Sequence, residues 1–164
     1  MNLESIPLSE KTKTNLLKAG YHQLTNIQLK VIPHVLAGKD IIAQSQTGTG
    51  KTAAFLIPAL EKLEVNFKPQ MLVLVPTREL ALQVSEEAKK LFSHKNLRIL
   101  AVYGGDPIHR QLRLFRQGAE VIVGTPGRII DHLKKGNLKT ENLKVLILDE
   151  VDEMINKGFL SCVE

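Results

Sequence analysis

Eight consecutive residues, Ser45, Gln46, Thr47, Gly48, Thr49, Gly50, Lys51 and Thr52, combine glycines, a lysine and a hydroxyl in an order suited to holding phosphate. Gly48 and Gly50 can take backbone angles closed to other residues. Successive N–H groups can therefore turn inward around phosphate oxygens at the positive end of a following helix. Lys51 would pair with β and γ phosphates, and the Thr52 hydroxyl would ligate Mg²⁺. Ser45 takes the slot that the strict phosphate-loop pattern gives to glycine. Far downstream, the apolar run Val145 to Leu148 ends in Asp149 and Glu150. Asp149 is suited to hold the hydration shell of Mg²⁺, and Glu150 to polarise water for in-line displacement at a γ phosphate. Alone, such an acidic pair reads equally as the charged start of a helix. With Lys51 upstream, loop and pair together point to a nucleoside triphosphatase using Mg²⁺.

These groups need strands and helices to position them. Short β-branched runs at Asp40 to Gln44, Met71 to Val75, Arg98 to Tyr103, Glu120 to Val123 and Lys144 to Leu148 read as strands. Each is too continuously apolar for a solvent-facing strand, so both faces of the sheet are expected to be covered. Residues 51 to 63, 77 to 93, 106 to 117 and 126 to 135 carry helical spacing and are long enough for the crossovers that parallel strands require. The predicted fold is an α/β parallel sheet flanked by helices. Two further helices precede the first strand, one opened by Ser9 and closed near Gly20, the other opened near Asn26 and closed by Gly38. Residues 1–38 thus form an N-terminal appendage, and 39–164 the nucleotide-binding domain. After Leu148 there is no room for the further strand and helix pairs such sheets usually have, so the domain is expected to be cut short.

Composition agrees with one folded domain. The chain has 164 residues, 43% hydrophobic and 24% charged, ordinary globular usage that speaks against disorder or a coiled coil and predicts a single core. No apolar run approaches a bilayer span and the first ten residues lack a signal-peptide pattern, which predicts a soluble cytoplasmic protein without a membrane anchor. The lone Cys162 and five scattered histidines support neither a disulfide nor a zinc site. A net charge of +5 is compatible with a polyanionic partner. Arg110, Arg113 and Arg116 recur every third residue and read as a solvated helix face.

Five segments in order carry a more specific signal: Ser45 to Thr52; Pro76, Thr77, Arg78, Glu79, Leu80 and Ala81; Gly104 and Gly105; Thr125, Pro126, Gly127 and Arg128; and Asp149, Glu150, Val151 and Asp152. Their order and spacing resemble the motifs of DEAD-box RNA helicases over nearly the whole chain. The resemblance implies the first of that family's two RecA-like domains, an RNA-stimulated ATPase that unwinds or remodels short RNA duplexes. Upstream, Gly20, Tyr21 and the run Thr25, Asn26, Ile27 and Gln28 resemble the family's Q motif, which implies that Gln28 reads adenine with Tyr21 nearby. A carboxamide offers a donor and an acceptor in one plane, as adenine requires.

By the same resemblance, Pro76, Thr77, Arg78, Gly104, Gly105, Thr125, Pro126, Gly127 and Arg128 contact RNA through its sugar-phosphate backbone, with little sequence preference. Asp152 would touch the Ser-Ala-Thr motif that couples hydrolysis to unwinding. The sequence departs from the family pattern at Asn26, where proline is usual; at Leu3, near where an aromatic packs by the base; and at Val151, where alanine is usual. The second RecA-like domain, with its arginine fingers, is expected downstream, so this chain alone should be nearly inactive. Two rivals remain: a non-catalytic, nucleotide-gated adapter, against which Glu150 argues, and a small-molecule kinase, for which the sequence shows neither acceptor pocket nor lid.

Overall fold

A computed structural model describes residues 3–164. It divides into two compact units, one running to Leu63 and including Glu87–Asn96, the other comprising Glu64–Glu86 and Leu97–Glu164.

The first unit is helical. Short turns of 3-10 helix at Leu3–Ser5 and Ser93–Lys95 accompany α1 (Glu10–Lys18), α2 (Asn26–Leu36) and α3 (Lys51–Glu61). Ser9 caps α1 by accepting from the Thr12 N–H, and Thr25 caps α2 in a reciprocal box with Gln28. The Thr25-to-Gln28 spacing that resembles an adenine-reading motif is thus also a helix-start signal. Leu3 and Ile6 are buried here, so Leu3 serves the core.

A partly buried polar cluster joins α1, the end of α3 and the 93–95 turn. Glu61 accepts from the Ser9 N–H at 2.7 Å and from the Thr12 hydroxyl at 2.5 Å. Because the Thr12 proton goes to Glu61, the His94 Nε2 contact at 3.1 Å must be Nε2–H donating to Thr12. His94 Nδ1 then carries a lone pair and is buried without a hydrogen-bond partner. The Lys95 ammonium donates to the carbonyls of Leu60, Glu61 and Leu63, closing the C-terminus of α3.

The second unit carries four parallel strands in the order β2-β3-β1-β4: β1 (Met71–Leu74), β2 (Ile99–Val102), β3 (Val121–Gly124) and β4 (Val145–Leu148). Between them run α4 (Arg78–Leu91), which extends across the division at Glu86, α5 (Ile108–Gln117) and α6 (Pro126–Lys134); α7 (Val151–Asn156) and α8 (Leu160–Val163) follow. Register is continuous, Leu74 facing Gly124 on one side and Leu148 on the other. Leu72, Leu74, Val102, Ile122, Ile129 and Met154 lead one core cluster, and Val151 packs against it. The two methyls added at the alanine position are thus accommodated. At the N-terminal end of β3 the buried Glu120 carboxylate accepts from the N–H groups of Asn66, Phe67 and Arg98 and so holds the chain entering β1 and β2.

Two expectations fail. Asp40 to Gln44 does not form a strand, and Ile42 is fully exposed. A strand exists only through ladder bonds to a neighbour, and among the described residues no strand pairs with this segment. Cover on both faces also fails at the β4 edge of the sheet. β1 and β3 are wholly buried, but β4 lies at the edge with Leu146 56% and Leu148 36% exposed. An apolar run states that burial is favourable, and an edge position limits how much is available.

Acid should destabilise this fold before the carboxylates titrate. Burial first, then nearby cations, hold His94 and His132 below the ordinary histidine range, with Glu61 and Asp131 opposing respectively. The unfolded chain therefore binds more protons as pH falls through about 6.5, and stability falls with it. Burial raises Glu61, but hydrogen bonds from Thr12 and Ser9 outweigh it and hold the carboxylate low, so its contribution is lost only at still lower pH. Thermal melts are expected to show a lower midpoint at pH 5 than at pH 7; a flat or inverted profile would refute this account.

Candidate nucleotide and RNA site

The phosphate-loop candidates all lie in the helical unit, where the chain turns into α3. Gly48 and Gly50 have φ of +80° and +86°, the left-handed region that glycine enters freely. Lys51 is the first residue of α3 and Thr52 the second, so the loop ends in unpaired helix N–H groups. The loop is closed on itself by the Ser45 and Thr49 hydroxyls at 2.6 Å and by Thr49 donating to the Gln46 carbonyl at 2.7 Å. Ser45 thus supplies a hydroxyl where the strict pattern has none. Gln46, Thr47 and Gly48 are exposed.

Gln28 is 2% exposed. Its oxygen accepts from the Thr25 N–H at 2.9 Å and its Nε2 donates to the Gly50 carbonyl at 3.2 Å. The side chain is a strut between the start of α2 and the phosphate loop. A Cβ on Gly50 would come within 2.5 Å of Gln28 Nε2, so the strut also requires glycine there. One hydrogen on Nε2 and one lone pair on the oxygen are left over. The Tyr21 hydroxyl donates to Glu87; burial first, then this bond and the carboxylate's charge, push its pKa up, so it remains a phenol.

The remaining candidates belong to the sheet unit, and the parallel order decides their placement. Thr77 and Arg78 follow β1, Gly104 and Gly105 follow β2, Thr125 to Arg128 follow β3, and Asp149 to Asp152 follow β4. All four segments leave the same rim, the C-terminal edge where open α/β sheets bind ligands. Backbone bonds fix the edge: Val75 N–H to Gly124 O, Thr125 N–H to Val102 O and Asp149 N–H to Leu74 O. Arg78, Gly104, Gly105, Gly127 and Asp152 are exposed. Pro76 and Pro126 are buried and shape their loops, Pro126 at the first position of α6. Arg128 is held from within, Nη1 donating to Asp106 O at 2.8 Å and Gln111 Oε1 at 3.1 Å. The Arg78 guanidinium lies over the Tyr103 ring at 4.8 Å, which joins the loops after β1 and β2.

At the end of β4, Asp149 Oδ1 accepts from the Glu150 N–H at 3.0 Å. Glu150 sits before α7 with φ of +56°, a left-handed conformation costing a non-glycine residue about 1 to 2 kcal/mol. Strain of this kind persists where surrounding structure holds it, and it clusters at functional sites. Sequence reasoning missed Tyr103, Asp106, Gln111 and His132, which support the rim. Tyr103 and Asp106 lie in the loop after β2 and Gln111 and His132 on α5 and α6, and no local spacing links them in the sequence.

The glycine-bearing loop opening a helix and the one-sided rim of a parallel sheet define a RecA-like, P-loop type of domain. Comparison with known proteins supplies the family. A family model described as DEAD/DEAH box helicase matches residues 25–164, and the chain belongs to that family. It is 49% identical over 162 residues to the DEAD-box ATP-dependent RNA helicase CshA of Geobacillus kaustophilus, covering 98% of this chain and 35% of the relative. It is 48% identical over 158 residues to the Bacillus cereus protein of the same name, covering 96% of this chain and 30% of the relative. Among solved structures, a DEAD box protein from the hyperthermophile Methanococcus jannaschii superposes with a TM-score of 0.96 at 44% identity, over 99% of this chain and 45% of that one. A hypothetical ATP-dependent RNA helicase from Sulfolobus tokodaii gives 0.87 at 35% identity, over 95% and 45%. The chain thus spans about a third of the length of the curated relatives it matches. Among the described residues no helix is long and apolar enough to cross a membrane.

Proposed function

We propose that this chain is the ATP-binding part of an ATP-dependent RNA helicase that acts in the cytoplasm and hydrolyses ATP to remodel short RNA duplexes. The observation that carries this is the rim, where three loops able to hold a sugar-phosphate backbone stand beside an acidic pair suited to phosphoryl transfer. In this reading the N–H groups of residues 46–51 cradle the phosphates and Lys51 pairs with the β and γ groups. Gln28 uses its spare donor and acceptor on adenine, so base and phosphate loop share one strut through Gly50. Tyr21 lines the base side.

Thr52 and Asp149 each offer a hard oxygen of the kind Mg²⁺ accepts, and in this reading they are the residues that would hold it. The ion, when bound, neutralises charge on the β and γ oxygens. Glu150 orients the attacking water and takes its proton. Thr77, Arg78, Gly104, Gly105, Thr125, Gly127 and Arg128 hold the RNA backbone, with Pro76 and Pro126 setting loop shape. Asp152, exposed on α7, would relay hydrolysis to a partner segment in this reading. A second RecA-like domain would close over ATP and RNA and supply arginine fingers worth roughly 10³ to 10⁵ in rate. Phosphate release with saturating single-stranded RNA is therefore expected to be slower by about that factor for this chain than for a chain of the relatives' full length. Equal turnover would overturn the proposed division of labour. A full-length chain that binds ATP but releases no phosphate with any RNA would make the protein an adapter.

A further inference from the structure

Behind the rim lies a buried polar junction. Gln111, on α5, is 1% exposed, and His132, on α6, is fully buried. Gln111 Nε2 donates to the Tyr103 carbonyl at 3.0 Å and to Asp106 Oδ2 at 3.2 Å, both in the loop after β2. Gln111 Oε1 accepts from Arg128 Nη1 at 3.1 Å and lies 2.7 Å from His132 Nε2, both on the helix that follows β3. A carbonyl oxygen cannot donate, so His132 must hold its proton on Nε2, and its Nδ1 lone pair accepts from Asn137 at 3.2 Å. Phe115 packs edge-on against the imidazole with ring centroids 4.8 Å apart. Both ends of one amide are thus used, and each end holds a different rim loop.

We propose that Gln111 is a positioning residue, a two-sided clamp that fixes the 103–106 loop against Arg128 and so sets the spacing of the RNA-backbone groove. This rests on the RNA reading above. The clamp has no atom on the groove itself and acts through the loops it ties. Arg128 also donates directly to the Asp106 carbonyl at 2.8 Å, but a guanidinium only donates, so it cannot accept from the His132 Nε2–H as the amide does. The amide is the neutral group that serves two acceptors on one side and two donors on the other. Arg110, donating to Asp106 Oδ1 at 2.8 Å from the exposed face of α5, braces the same loop. Burial, then Arg128, keep His132 neutral, consistent with its Nε2–H donating to the clamp.

The test compares this chain with Gln111→Met, which keeps side-chain length and removes all four bonds, and Gln111→Glu, which keeps the acceptors for Arg128 and His132 and removes the donor to the 103–106 loop. Fluorescein-labelled oligouridine RNA and a fluorescent ATP analogue are titrated into each. RNA affinity is expected to fall at least tenfold for Gln111→Met and at least threefold for Gln111→Glu, with ATP-analogue affinity unchanged. A folded variant that binds RNA as tightly as the parent overturns the clamp. A Gln111→Met protein that loses both ligands has unfolded, and Gln111→Glu then decides. Long-range nitrogen NMR of the unsubstituted chain without RNA reads the clamp directly: an Nε2–H tautomer at His132 is expected, and an Nδ1–H tautomer refutes it. A chain with the expected tautomer that binds no RNA under any condition sinks the RNA reading and leaves the clamp geometry standing.

Discussion

Replacing Lys51 by alanine is expected to lower the affinity for ATP at least a hundredfold while leaving the fold intact. Lys51 opens α3, half-buried, directly after a left-handed Gly50, and its ammonium is the charge the sequence places at the end of the phosphate loop. A charge-assisted contact to phosphate contributes about 1.5 to 3 kcal/mol, and each 1.4 kcal/mol is tenfold in affinity. Loss of contacts to both β and γ groups, even at the lower end of that range, amounts to about 3 kcal/mol and gives the stated factor. Alanine is the best helix former, so α3 should still begin where it does, and the melting midpoint should move little. Calorimetric titration with ATP and Mg²⁺ checks this, and an unchanged affinity would remove the phosphate-loop assignment and the nucleotide reading with it.

Glu150→Gln, made in a chain of the relatives' full length, is expected to lower RNA-stimulated phosphate release by about 10² to 10⁴ without weakening ATP or RNA binding. Glutamine matches the shape of glutamate but cannot take a proton from water, so the substitution removes base function and keeps volume. Its left-handed backbone at φ of +56° should be held by the same surroundings, β4 before it and α7 after it. The Glu150 N–H to Asp149 contact is made by the backbone and survives the change. A variant that retains full turnover would transfer the base role elsewhere. One that loses ATP affinity in parallel would show Glu150 to be part of the binding site instead.

The candidate groups were legible because their signals are local. A glycine-lysine-threonine loop, an acidic pair closing an apolar run and the Thr25-to-Gln28 spacing each occupy a few consecutive residues, and local backbone preference is written at that scale. Strands β1 to β4 and helices α3 to α6 followed within a residue or two from periodicity and turn residues. The strand expected at Asp40 to Gln44 did not follow, because pairing is a property of two segments and the sequence of one cannot supply its neighbour. The exposure of Leu146 and Leu148 has the same origin, since their apolar character is fixed by the chain and their cover by sheet order.

By itself, then, the sequence determined which residues could carry phosphate, metal and backbone chemistry, through side-chain type and short spacing. The parallel reading of the strands already put the loops after them on one rim; only the tertiary structure decided the strand order, that Gln28 spans to Gly50, and that Gln111 fastens Arg128 to the 103–106 loop. Those contacts join residues far apart in the chain, and their donors and acceptors become specific only once burial removes water as a competing partner.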